Sequence, residues 1–232
     1  MFYQIIGHDQ TISNVFKRLL VLLGLLTLAA CAPKFAHVEG IPSYEGVNIK
    51  KLSVATVDRR DFILNGNKEP WFEGITRAGF GVPHSLRRES EPENQSFAMY
   101  LSLKVQDSLK GRGSNVEVVS LEAGTDKLKS VQALVAEGNP ALLIEINHSR
   151  YDCCFSLEYR YDFDVSVIRA NGELLFTKKF AHWYEDMEVD ETRFYSSGFY
   201  DVFGIHAQKY ADLLTEFLND TEIQAALARA EN

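Results

Sequence analysis

Leu157-Glu158-Tyr159-Arg160-Tyr161-Asp162-Phe163-Asp164-Val165-Ser166-Val167 alternates apolar and polar side chains without a break. Successive side chains of a strand point to opposite faces, so a period of two predicts a strand with one buried and one solvated face. Asn171-Gly172 follows, the preferred pair of a two-residue type I′ hairpin. With those two residues central, the return strand pairs Val167 with Phe176 and Phe163 with Phe180. It also sets Asp164 opposite Lys179 on the other face, predicting an ion pair there. Just upstream, Ala141 to Ile146 is an apolar run suited to a central strand, which makes the segment a three-stranded antiparallel meander.

Outward from the meander, Phe97, Leu101, Val105 and Leu109 recur every four residues. This predicts an amphipathic helix opened by Pro92, capped by Ser90 or Glu91 and stopped at Gly111 or Gly113. Val116–Val119 reads as a short strand, and Thr125 as the cap of a second helix ending at Gly138-Asn139-Pro140. A last long helix is expected over roughly 201–218 and a short one over 221–230. Lys51–Val57 alternates and reads as the first strand. Residues 58–91, with the charge clusters Asp58-Arg59-Arg60-Asp61 and Arg87-Arg88-Glu89, read as a long surface loop with a short strand near 75–82. The expected fold class is α+β: a mixed or antiparallel sheet with helices packed on one face, in a single domain over 47–232.

The chain has 232 residues, a formal charge of −8 and 24 % charged side chains, an ordinary globular composition. An acidic balance argues against a nucleic-acid partner, which requires a basic face. Residues 1–30 stand apart. Lys17 and Arg18 precede an uncharged apolar run over 19–30, too short to span a bilayer, which needs about 20 apolar residues. A basic start, a short apolar core and small residues before a break describe a secretory signal. Leu28-Ala29-Ala30-Cys31 resembles the lipobox of bacterial lipoproteins. That resemblance implies cleavage before Cys31, diacylglycerol on its thiol and acylation of the new amino terminus. By the sorting rule of such lipoproteins, Ala32 implies the outer membrane. Residues 31–46, with Pro33, Gly40, Pro42 and Gly46, read as the lipidated terminus and tether.

Little catalytic chemistry is legible. For Cys153-Cys154 three readings stay open: a strained vicinal disulfide, a disulfide or contact across a dimer, and two inert thiols. Without CxxC, thiol–disulfide exchange has no support. His84, His148, His182 and His206 show no ligand spacing, and His148 near Cys153 and Cys154 is the one suggestive grouping, so no metal and no cofactor are expected. Asp162 and Asp164 share a strand face and raise a glycosidase reading, but a raised acid pKa needs an apolar pocket. The aromatics Trp71, Phe72 and those of 183–200 suit either an exposed binding surface or a buried layer. No catalytic residue is assigned.

The element order resembles the YajG-like family of small bacterial lipoproteins. It runs from lipobox and strand through a helix ending in a Gly-containing turn (Val105 to Gly113), a strand and the long hairpin closed at Asn171-Gly172-Glu173. A last helix then enters Asp220-Thr221-Glu222-Ile223. The resemblance implies an α+β protein anchored to the outer membrane, facing the periplasm and without enzymatic activity. The expectation is a lipid-anchored envelope protein, an accessory or assembly factor, whose domain binds another envelope protein or peptidoglycan, with a homodimer open. The alternatives are a peptidoglycan-acting hydrolase and a subunit of an envelope transport or secretion assembly.

Overall fold

The computed structural model describes residues 41–77, 82–86, 95–153, 157–187 and 200–231, all within one unit spanning His37–Asn232. Among them seven strands make one mixed sheet: β1 Lys51–Asp58, β2 Gly74–Arg77, β3 Pro83–Leu86, β4 Asn115–Val118, β5 Ala141–Cys153, β6 Leu157–Ile168 and β7 Leu174–Met187. Five helices accompany it: α1 Asp61–Leu64, α2 Phe97–Lys110, α3 Lys127–Leu134, α4 Tyr200–Asn219 and α5 Thr221–Ala230. The architecture is the expected single α+β domain with a mixed sheet, but the helices are not all on one face: α3 packs on the side opposite α2, α4 and α5.

Strand β5 organises the sheet. Its first half lies between β1, parallel, and β6, antiparallel. Its last residues carry β2 on the edge that β1 has left. Strand β4 closes one side against β1, and β7 extends the other against β6. Alternation sorts the side chains. Leu52 and Val54 of β1, Leu142 and Ile144 of β5, and Phe163, Val165 and Val167 of β6 face the main core with α2, α4 and α5. Ala55, Val57, Ala141 and Leu143 face the reverse side, where α3 brings Leu134 and Val131 onto a smaller cluster. Helix α3 covers only the start of β5, so the far end of the reverse face carries polar side chains.

The hairpin register is the predicted one: Val167 pairs with Phe176, Phe163 with Phe180 and Asp164 with Lys179. The turn is different. Gly172 N–H donates to Arg169 O and Arg169 N–H to Glu173 O, both at 2.8 Å, enclosing the three-residue loop 170–172 with Gly172 at φ 86°. This is the pattern of a type I turn closed by a left-handed glycine, rather than a two-residue type I′ turn. The register survives because a bulge between Val167 and Ile168 shifts the pairing back by one residue.

Helix boundaries move for capping reasons. Ser96, not Ser90 or Glu91, caps α2 by accepting from Met99 N–H at 3.1 Å; Pro92 lies outside the described residues. Asp126, not Thr125, caps α3 by accepting from Lys129 N–H at 2.9 Å. The stretch after β1 is not a surface loop throughout. Arg60 is fully buried, paired with Asp58 at 2.6 Å, donating to Phe72 O at 2.7 Å and lying over the rings of Phe62 and Phe97. The predicted strand near 75–82 is β2, and β3 follows it.

Packing begins before Val47. Ser108 Oγ–H donates to Pro42 O, Arg112 Nε–H to Tyr44 O and Asn219 Nδ2–H to Ser43 O. Residues 42–50 thus strap α2 to α4 and α5, with Tyr44 and Ile49 in the core. Cys31 and the leader lie outside the described residues.

Candidate functional site

The open end of the reverse face carries a depression of about 380 Å³ lined by His148, Arg160, Asp162, Ala181 and Trp183, with Tyr161 and His182 beside them. Three local features of the chain build it. A bulge between Ile146 and His148 breaks the alternation of β5. Without it His148 would share the core face of Ile146; with it His148 lies opposite Asp162, and Ser149 turns inward to meet the Tyr210 hydroxyl at 2.7 Å. Strand β6 then presents Arg160 and Asp162 on this face, because Tyr159, Tyr161 and Phe163 take the core side. Strand β7 places Ala181 opposite Asp162 and Trp183 opposite Arg160. The small side chain of Ala181, between Lys179 and Trp183 on the same face, leaves the hollow.

The polar groups are internally paired. Arg160 Nε lies 2.7 Å from Glu158 Oε1, and its guanidinium carbon is 3.5 Å from the centre of the Trp183 ring, a cation–π stack. Trp183 remains 56 % exposed. Lys179 Nζ is 2.7 Å from Asp162 Oδ2. The predicted Asp164–Lys179 ion pair is therefore corrected: the backbone register is as expected, but the ammonium reaches diagonally to Asp162. Asn147, the bulged residue, donates from Nδ2 to Asp164 Oδ2 at 2.8 Å and to Asp162 Oδ1 at 3.3 Å. Burial pushes His148 below the ordinary imidazole range, and the Arg160 and Arg150 charges push the same way. The Lys179 ammonium is held above its ordinary range by its bond to Asp162.

The remaining candidates are dispersed. Asp162 and Asp164 accept from the same Asn147 amide, and Asp162 is also bonded by Lys179, so the two carboxylates sit in a polar network on the strand surface. Cys153 ends β5 opposite Thr76, and Cys154 lies outside the described residues. His84 is exposed on β3. His182 turns to the core side, its ring 5.2 Å from Tyr161 and its Nε2 3.7 Å from Glu216 Oε1. Among the described residues no three His, Cys, Asp or Glu side chains converge on one point. The aromatics divide between the two expectations: Phe72 is buried and Trp183 is exposed. Ala181 and the Asn147 bulge were not singled out from sequence, because their importance depends on register.

No family model and no curated protein matches the chain. Among solved structures, it is similar to a Xanthomonas campestris protein of family DUF330, at 12 % identity and a TM-score of 0.47, covering 81 % of this chain and 92 % of that one. It is also similar to a variant of the PelC dodecamer from Paraburkholderia phytofirmans, at 10 % identity and a TM-score of 0.38, covering 75 % of this chain and 92 % of that one.

Proposed function

We propose that this chain is a non-enzymatic, lipid-anchored lipoprotein of the YajG-like kind, held at the periplasmic face of the bacterial outer membrane. Its domain binds another envelope protein or a cell-wall component through the open end of the sheet. The observation that carries the binding role is the hollow between β5, β6 and β7, with an exposed tryptophan at its rim and its charged side chains held in ion pairs with their neighbours. Such an arrangement suits recognition: a concave surface with an aromatic wall and a few placed polar groups. The anchor rests on Leu28-Ala29-Ala30-Cys31. Acylation at two or more positions holds a protein stably where one chain binds only marginally. Confinement to one membrane raises the effective concentration of the domain for partners there.

Two measurements test the reading. Metabolic labelling with palmitate should mark the wild-type chain and leave Cys31→Ala unlabelled; equal labelling of both would remove the anchor. Cross-linking in intact envelopes should capture a partner or wall fragment from the wild type, and Trp183→Ala with Arg160→Ala should lose it. Capture unchanged by that double substitution would move the binding surface elsewhere.

A further inference from the structure

From the hollow's charge balance and its aromatic wall, we infer that it takes an uncharged pyranoside ring, stacked against Trp183 and hydrogen-bonded by Asp162, Arg160 and His148. The inference rests on reading this face as the binding surface and names the ligand chemistry.

Charge decides against an anion. Arg160 is paired with Glu158, Lys179 with Asp162, and Arg150 has Asp152 3.4 Å away. An anionic ligand would have to compete with a carboxylate already in place at each cation, and a cation would face the same obstacle at Asp162. A ligand rich in hydroxyl groups meets no such cost. It both donates and accepts, and the hollow offers both roles. Asp162 keeps acceptor capacity beyond Lys179 and Asn147, because a carboxylate has about four lone-pair sites. The Arg160 guanidinium lies in ion-pair range of Glu158, and its terminal nitrogens carry further N–H donors. His148 is half-buried beside them, and as a neutral imidazole it has one donor and one acceptor nitrogen.

Apolar contact comes from Trp183. Its indole is more than half exposed on a strand that, among the described residues, is paired only with β6. The Arg160 guanidinium covers one ring face at 3.5 Å and limits its movement, so a sugar would meet the surface of the ring that Arg160 leaves uncovered. A sugar ring presents an apolar C–H face and a polar rim, which is the complement of an aromatic wall beside planar polar side chains. The volume, about 380 Å³, is near the low end of the range for small-molecule sites, so one or two rings fit. Ala181 supplies the room, and a larger side chain there would fill it.

The test uses the full chain, purified in a detergent without a sugar headgroup. The chain has two tryptophans, so Trp71→Phe leaves Trp183 as the sole indole reporter. Triacetylchitotriose, the amino-sugar arm, and maltotriose, the neutral-hexose arm, are titrated against its fluorescence, with inorganic phosphate as the anionic control. Saturable quenching or enhancement by either sugar at millimolar concentration, with no response to phosphate, is the expected result. Preference for triacetylchitotriose would assign the site to wall-type glycan, and preference for maltotriose to other neutral saccharides. Equilibrium dialysis then compares Ala181→Leu and Trp183→Ala, each expected to weaken binding about tenfold or more, with Trp183→Phe, expected to retain most of it. Response to phosphate alone, response to neither sugar, or full binding by Ala181→Leu would overturn the inference. Palmitate labelling and envelope capture are independent of these titrations, so a failed sugar assay leaves the anchored-binder reading to its own tests.

Discussion

Asp220 shows how much one side chain can hold. It lies between α4 and α5, and its Oδ1 accepts from the amides of Glu222 and Ile223 at 3.0 and 3.1 Å, capping α5. Its Oδ2 takes Lys178 of β7 at 2.7 Å, tying the cap to the sheet. Burial alone would raise its pKa, but the Lys178 bond and the two amides outweigh burial and lower it. Asp220→Ala should cost about 1–2 kcal/mol in urea unfolding, with Asp220→Asn costing less because it keeps the cap. A lowered carboxyl stabilises the fold above its unfolded pKa. That contribution should be intact above about pH 4 and lost as acid protonates the group. His148 shows the opposite acid–base type with the same pH direction. Its folded pKa lies below the unfolded value near 6.5, so the unfolded chain binds the extra proton first. Stability should therefore decline as pH falls from about 6.5 toward the folded value. His148→Gln should flatten that part of a urea-midpoint profile, and an unchanged slope would show that other groups set it.

At the scale of elements, the turn after β1 carries the largest local stake. Arg60 is enclosed by Asp58, Phe72 O and the rings of Phe62 and Phe97, and Phe62 meets Phe72 edge-on at 5.5 Å between centroids. Removing one partner of a buried pair leaves an uncompensated charge, so Asp58→Ala should cost about 3–5 kcal/mol. Asp58→Ala with Arg60→Met should recover most of that, because both charges then go; equal losses in the single and double variants would mean that the pair itself is net stabilising. The same residues mark where sequence reading stops. In a list of letters Asp58-Arg59-Arg60-Asp61 is a solvated charge cluster, and only tertiary contact distinguishes Arg60 from half-buried Arg59, which bonds Glu145 at 2.8 Å. By contrast β6 and β7 were legible because alternation is a property of the strand itself, and their register held even though the turn was of another type. The hollow was half legible. Arg160 and Asp162 could be assigned to the polar face from period alone, whereas His148 reaches it through a bulge that nothing in the local pattern announces.

Across the whole molecule, the first described residues and the last are stitched together. Val47 N–H donates to Gln224 Oε1 at 2.7 Å, Glu45 N–H to Asn219 Oδ1 at 2.8 Å, and Lys50 N–H to Glu231 Oε1 at 2.6 Å. The side of α5 that carries Ile223, Ala226, Leu227 and Ala230 is buried in the main core alongside Tyr44 and Ile49. Each fully buried Ile or Leu is worth about 1.5–3 kcal/mol, so Ile223 and Leu227 together hold a sizeable part of the 5–15 kcal/mol typical of a domain. A chain ending at Asn219 loses both, and it also loses the acceptors of Val47 and Lys50, so the strap over 42–50 should detach with the helix. The expected outcome is a protein that unfolds at much lower urea and whose strap is cut by protease under native conditions. Gln224→Ala separates the two effects: it removes the bonds that Gln224 Oε1 accepts from Val47 N–H and the Tyr44 hydroxyl while leaving the apolar side of α5 in place. It should raise cleavage within 42–50 with only a small shift in the urea midpoint. A truncated chain with wild-type midpoint and an uncut strap would show that the core closes without α5, and that the two ends are fastened independently.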